Sequence, residues 1–232
     1  MANEYGNYAT FNPLYLDTGS STISLGNTKI VNSSSTNSTY GITIPLPTSD
    51  TQIYYAEFRL NTVDNDGNYV GVASPDAPVF GSTSQMGTTA GNGIGLRCGV
   101  GGAAIRLHYE GSNVLCTTIP TTSDSFVVAL KGTKAWLGIY DASAGNTKWV
   151  DTSGTERTTD EPASDTNHTY NFTTLSDLLV GASFRNTSAG GNMTLVCDSA
   201  DWAGTPPSGA VSIATQNLPE PAIINPADHF HS

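Results

Sequence analysis

The chain has 232 residues, with 20 acidic side chains against nine Lys and Arg, a formal charge of −11, and no basic patch or stripe such as a phosphate backbone requires. That balance argues against nucleic acid or an anionic membrane surface as a partner, and no apolar run approaches the roughly 18 residues of a membrane span. Only 12% of residues are charged and 38% hydrophobic, the rest being rich in Gly, Ser, Thr and Asn, which suits one domain of many short strands rather than long helices.

The opening Met1-Ala2-Asn3-Glu4-Tyr5 is neither basic nor apolar, so no secretory leader is expected and the chain is expected to stay in the cytosol where it is made. Alternation of apolar and polar residues is the main signal, because side chains on a strand point to opposite faces with a period of two. It predicts short strands at 21–25, 29–32 and 40–45. A clear one follows at 53–60, where Tyr54, Ala56, Phe58 and Leu60 share one face and Tyr55, Glu57 and Arg59 the other. The next stretch, Asp64-Asn65-Asp66-Gly67-Asn68, clusters oxygen ligands and makes Asp64 and Asp66 weak metal candidates. It lacks the register and distal Glu of an EF-hand loop, so a hairpin turn is expected there and no cofactor is implied.

Strands are predicted at 69–73 and 94–98, the second approached by the glycine-rich 91–95, which leads to a strand and is no dinucleotide fingerprint. From 103 to 110, Ala103, Ile105, Leu107 and Tyr109 point inward and Ala104, Arg106, His108 and Glu110 outward, which makes His108 a solvated strand residue. Further strands are predicted at 113–118, 126–130, 136–140 and 147–151, separated by the turn signals Glu110-Gly111, Lys131-Gly132 and Gly145-Asn146. A polar loop spans 151–167, with Asp160, Glu161 and Asp165 read as solvated. One helical turn is expected near 174–179, then strands at 178–184 and 193–197. After Trp202, the prolines Pro206, Pro207, Pro219, Pro221 and Pro226 argue against regular pairing. The chain therefore divides into a sandwich domain, 1–202, and an extended arm, 203–232, with Leu218, Ile223, Ile224 and Phe230 as apolar anchors for assembly. About a dozen short strands joined by hairpins make the fold class all-β, a two-sheet antiparallel β-sandwich.

Catalytic patterns are missing. Glycoside hydrolysis needs two carboxylates roughly 5 to 10 Å apart, yet the glutamates Glu4, Glu57, Glu110, Glu156, Glu161 and Glu220 are scattered, and neither Glu57 nor Glu110 has a carboxylate two or four positions away on its strand. No G-x-S-x-G elbow or P-loop occurs, and His108, His168, His229 and His231 have no evident partners. Cys98, Cys116 and Cys197 are odd in number and far apart, so they read as buried free thiols. The N-x-S/T sequons at Asn32, Asn37, Asn167, Asn171, Asn186 and Asn192 are expected to stay unmodified without a leader.

Pro206-Pro207-Ser208-Gly209, followed by Ala214 to Pro221 (ATQNLPEP), resembles the closing segment of SPRY-like, concanavalin-like jelly-roll domains in phage structural proteins. The opening Ala9-Thr10-Phe11-Asn12-Pro13-Leu14, the stretch Thr22 to Asn27 (TISLGN), the strand Tyr69-Val70-Gly71-Val72-Ala73 and the stretch Phe126 to Asp141 are similar to that family's first hairpin and core strands. The resemblance runs over residues 9 to 228, departing at 151–170 and at Asp198 to Trp202. It implies a non-enzymatic virion component assembled in the host cytoplasm, a homo-oligomer in contact with other virion proteins.

Two roles are then expected. The first is a tail-fibre or knob adhesin that recognises a host-surface glycan or protein through loops at 62–68, 110–113 and 151–172, with Tyr40, Tyr69, Trp149, His168 and Tyr170 as contact aromatics at loops or strand ends. The rival is a capsid or tail decoration subunit that docks by its arm and has no receptor. A glycan-active enzyme is a third and weaker expectation.

Overall fold

The computed structural model of the chain describes residues 8–12, 21–32, 38–63, 67–77, 85–88, 93–99, 103–158, 162–165, 167–184, 191–214 and 217–218. Seventeen strands among these, numbered in chain order, form two sheets. The larger runs β1 (Ser21–Ser24), β2 (Lys29–Asn32), β16 (Asn192–Val196), β5 (Ile53–Leu60), β10 (Ser125–Lys131), β11 (Lys134–Asp141), β12 (Asn146–Val150) and β13 (Glu156–Arg157). To it are added β14 (Tyr170–Asn171), beside β11, and β17 (Ala210–Ser212), beside β5. The smaller runs β3 (Ser38–Gly41), β15 (Asp177–Phe184), β6 (Asn68–Ala73), β7 (Ile94–Arg97), β8 (Arg106–Tyr109) and β9 (Ser112–Leu115), with β4 (Leu46–Pro47) added to β15. The described pairings are antiparallel except that of β17, which lies parallel to β5.

Both sheets turn their apolar alternates toward each other. Tyr54, Ala56, Phe58 and Leu60 of β5, Phe126, Val128 and Leu130 of β10, and Leu137 and Ile139 of β11 meet Val70, Val72, Ile94, Leu96, Leu107, Val180, Ala182 and Phe184 of the smaller sheet in one buried cluster. Each large side chain so buried contributes roughly 1.5–3 kcal/mol, and the inner faces alone explain why strands with this alternation pair in this register.

The outer face of the larger sheet is where the structure departs from expectation. Tyr55 and Glu57 do face away from the main core, but neither meets water, with 1% and 0% of their surfaces exposed. Tyr55 joins Val127, Ala129, Trp136 and Trp149 in a second cluster capped by Trp202, Tyr140 and Ala210. Glu57 accepts hydrogen bonds from the Ser125 hydroxyl (2.9 Å) and from the backbone N–H groups of Ala203 (3.0 Å) and Gly204 (3.1 Å). Burial, followed by the Glu57 charge, drives the Tyr55 phenol well above its ordinary pKa.

These contacts correct the boundary drawn at residue 202. Pro206 and Pro207 lack N–H groups, but they precede the ladder rather than sit in it, and pairing starts at Ala210. The segment continues to an Ala9 N–H to Ile213 carbonyl bond of 2.8 Å and a Tyr8–Ala214 bridge. Tyr54 Oη donates to the Asn217 carbonyl at 2.8 Å, and Leu218 packs against the main core. Residues 203–214, 217 and 218 therefore belong to the sandwich, and Leu218 anchors its own domain. Ile223, Ile224 and Phe230 lie outside the described residues.

Smaller differences follow from local bonding. No helical turn forms at 174–179, because the Thr48 hydroxyl takes the Leu175 and Ser176 carbonyls and β15 begins at Asp177. Within the segment 40–45, β3 ends at Gly41, and Ile42 both donates its N–H to the Val180 carbonyl of β15 at 3.0 Å and bridges to Phe11. The polar loop 151–167 contains β13.

Candidate functional site

At the end of the sandwich marked by the β10–β11 turn, several loops converge. Glu110 (φ +48°) and Gly111 (φ +77°) both adopt the left-handed conformation of a tight hairpin turn between β8 and β9, which leaves the Glu110 side chain exposed at the tip. Thr169 threads its hydroxyl between β11 and β12, accepting from the Leu137 N–H (2.8 Å) and donating to the Val150 carbonyl (2.5 Å). That anchor sets β14 against β11, and the Thr133 hydroxyl then donates to Asn171 Oδ1 at 2.7 Å.

The result is a cleft of about 350 Å³ with Ser74, Glu110, Tyr170, Asn171 and Phe172 on its walls and residues 173–175 at its lip. Tyr170 donates its hydroxyl to Glu110 Oε1 at 2.5 Å and packs edge-on against Phe172, with ring centroids 4.8 Å apart. The bond to Glu110, then burial, pushes the Tyr170 phenol up to about 12, so at neutral pH it is a donor. A carboxylate, a phenol, an amide and threonine hydroxyls thus stand beside two aromatic edges.

A second cleft of about 260 Å³ lies on the other side of the 171–175 loop, between 48–51 and the β10–β11 turn, with Lys131, Thr133, Lys134 and Asp165 on its walls. Lys134 Nζ and Asp165 form an ion pair of 2.8 Å, so Asp165, expected to be solvated, is paired although exposed. The hydrogen bond from Lys134 is the main reason its carboxyl sits below the usual range.

The structure sorts the aromatic candidates clearly. Tyr170 lines a cleft. Tyr40 and Tyr69 are fully buried, so neither is a contact residue, whereas Trp149, 3% exposed, reaches the wall of a hollow of about 180 Å³ that Thr147, Thr205 and Pro207 also line. Tyr40 lies on the inner face against Phe184, where its size fills the core, and Trp149 belongs to the covered outer face. Tyr69 packs under the Arg97 guanidinium and beside His108, which is itself buried, against the expectation of a solvated residue, with the turn at 85–88 abutting its carbonyl. His168 is half-buried, edge-on to Trp136, and burial is the first cause of its lowered pKa. Asp64 and Asp66 lie outside the described residues. Among the described residues no three His, Cys, Asp or Glu side chains converge as a metal site, and all three cysteines are free. Burial pushes the Cys116 thiol up to about 12 and the Cys197 thiol up to about 11.

Period-two reading missed Glu156 as well as Glu57. Glu156 accepts four hydrogen bonds of 2.6–2.9 Å from the N–H and hydroxyl groups of Thr117 and Thr118, tying β13 to the segment that follows β9 and so stapling the two sheets. Burial alone would raise its pKa, but those donors outweigh burial and hold it below the ordinary 4.5. At Asp151, burial is likewise outweighed, by Ser153, Thr155 and Arg157. Asp141 is lowered chiefly by Lys148, 2.8 Å away.

A depressed carboxylate stabilises the fold fully above its unfolded pKa and loses that contribution as pH falls through the lower folded value. For Asp141, Asp151, Glu156 and Asp165 the unfolded values are 3.8 to 4.5. Acid titration followed by thermal melts should therefore show a flat Tm down to about pH 5 and a falling one below about pH 4. A Tm that rose over the acid range would contradict these assignments.

No protein-family profile matches the sequence, and no curated protein is similar to it in sequence. Among solved structures, the SPRY domain of human HERC1 aligns with a TM-score of 0.55 at 14% identity, over 80% of this chain and 96% of that one. The TRIM65 PSpry domain gives 0.50 at 13%, over 83% and 93%, and stonustoxin 0.51 at 12%, over 81% of this chain and 28% of the toxin chain. At these identities the likeness is one of fold, a SPRY-like β-sandwich.

Proposed function

We propose that this SPRY-like sandwich is a recognition module rather than a catalyst, carried on a bacteriophage virion as an adhesin that binds a host-envelope glycan. The observation that carries the reading is the Glu110–Tyr170–Phe172 cleft, an open hollow built by loops on a rigid scaffold. Its chemistry suits a sugar: aromatic edges for the C–H face of a ring, and a carboxylate, an amide and hydroxyls for its O–H groups. The virion setting rests on the resemblance of the Phe11-Asn12-Pro13-Leu14 opening and the ATQNLPEP close to phage structural proteins.

Purified protein should label host cells and bind their envelope polysaccharide. Replacing Glu110 by Ala and Tyr170 by Phe should weaken that binding by about tenfold or more with little change in Tm, since Glu110 is exposed and Phe keeps the ring that packs against the core and Phe172. Protein that ignores cells, or binding indifferent to the double substitution, would overturn the reading.

A decoration or assembly role is favoured by a different observation. The outer strand β9 of the smaller sheet ends in Leu115, 56% exposed, with Ile119 60% exposed shortly after it, the kind of apolar edge that a neighbouring subunit covers. Immunogold labelling of intact particles separates the two readings: label at fibre tips supports the adhesin, and label spread over the capsid supports the decoration subunit.

A further inference from the structure

The cleft between Glu110 and Tyr170 carries a single charged side chain. Among the described residues on its walls Glu110 is the one carboxylate, and there is no Lys, Arg or His to match it. Glu110 stands at the tip of the β8–β9 turn with φ +48°, a left-handed conformation in which Asn, Asp and Gly are the common occupants, so the longer carboxylate is held there at a backbone cost. Its Oε1 accepts the Tyr170 hydroxyl at 2.5 Å, and its Oε2 accepts no hydrogen bond from a described residue.

The bond between the two side chains decides what they can still do. A phenol has one proton, and Tyr170 gives it to Glu110. The second Glu110 oxygen and the lone pairs of the Tyr170 oxygen therefore remain to a ligand as acceptors only. A sugar hydroxyl meets one of them with its single proton and leaves the carboxylate charge unmatched. An ammonium group, with three donors and no acceptor, meets both and neutralises the charge, through charge-assisted bonds about twice as strong as neutral ones. The Tyr170 and Phe172 rings in the same walls add a surface that attracts a cation.

Across the ridge made by the Thr133 to Asn171 hydrogen bond, the neighbouring hollow sets Asp50 and Asp165 against Lys131 and Lys134 and so favours neither sign of charge. The net charge of −11 attracts cations to the molecule at long range, and the unmatched Glu110 gives them a place to settle. Resting on the glycan-binding reading above, we propose that the ligand is a polysaccharide containing an unacetylated amino sugar, whose ammonium group is held by Glu110 and Tyr170 with its ring against Phe172.

The test is an array of bacterial envelope polysaccharides and chitosan oligosaccharides probed with the full chain, with each bound glycan retested after chemical N-acetylation of its amines. N-acetylation turns the ammonium group into a neutral amide with one N–H and should weaken binding about tenfold, and high salt should narrow the difference between the two forms. Glu110→Gln keeps an oxygen for the Tyr170 hydroxyl but removes the charge, so it should abolish the preference for the free amine while binding to the N-acetylated form persists. Binding that N-acetylation leaves unchanged, or a preference for the amine that survives Glu110→Gln, would overturn the amino-sugar inference and leave the glycan-binding reading standing. Absence of binding to every glycan would overturn both. Because N-acetylation alters the ligand and not the protein, the first comparison does not depend on how the variant folds.

Discussion

Ended at Trp202, the chain is expected not to fold. The cut removes β17 from beside Ile53 to Tyr55 of β5, takes Ala210 from the cover of the Tyr55–Trp136–Trp149 cluster, and removes the two backbone donors of Glu57. Glu57 is left with the Ser125 hydroxyl and water in place of the two N–H donors that tie the segment to β5, and the strand pairing and apolar burial lost with residues 203–218 amount to several kcal/mol, at roughly 1.5–3 per large side chain. Against a total stability of roughly 5–15 kcal/mol, that is enough to leave the shortened chain unfolded or aggregated. Ending the chain at Leu218 keeps every contact described and should give a cooperative melt. Circular dichroism and thermal melts of the two truncations decide the matter, and a product ending at Trp202 that melted like the full chain would return residues 203–218 to the status of an independent arm. In the full chain, Glu57→Ala should lower the Tm in the same direction by a smaller amount, since β17 remains.

Gly71→Ala is expected to be comparably severe for a different reason. Gly71 stands in the middle of β6, paired with Gly181 of β15 on one side and Gly95 of β7 on the other. A Cβ at that position would lie 2.0 Å from the Ile94 carbonyl oxygen and 2.9 Å from the Gly95 Cα, both backbone atoms that cannot rotate away. Relief requires β6 and β7 to part, which breaks the ladder in the centre of the smaller sheet and exceeds the roughly 1–3 kcal/mol of ordinary overpacking. Gly26→Ala is the contrast: its added Cβ meets nothing within 4 Å, and only the φ of +63° opposes it, a cost of about 1–2 kcal/mol. Urea denaturation should show a much larger loss for Gly71→Ala than for Gly26→Ala. Equal losses would mean that β7 yields easily.

What was legible in the sequence was the alternation itself. Residues 53–60 show it most plainly, and β5 occupies that span with the predicted residues facing the core. The pattern assigns residues to faces, but it does not say whether the polar face is wet. Glu57, Tyr55 and His108 all read as outward, and all are outward, yet other parts of the chain lie over them. A buried Glu on a strand looks the same in sequence as a solvated one, because its donors, Ala203 and Gly204, arrive from a distant segment as backbone N–H groups that carry no residue signature. The same limit hid the cleft. Glu110 and Tyr170 are 60 residues apart and meet only because Thr169 and Thr133 fix the intervening loop. Tyr40 and Tyr69 were misplaced because an aromatic near a strand end fits a rim and a core equally well in one dimension. Prolines misled at the C-terminus for a related reason, since they exclude pairing only at their own positions and Ala210 follows them.

The meeting of Tyr8 with Ala214 has a mechanical side. The two segments run antiparallel and join the rest of the chain from the same end of their short ladder. Tension applied through the two termini therefore pulls across that ladder and breaks its bonds one after another, instead of loading them together in shear. Between the seam and the C-terminus stand the Tyr54 bond to the Asn217 carbonyl and the packing of Leu218, so a stretched tether loads those contacts first and unzips the seam after them.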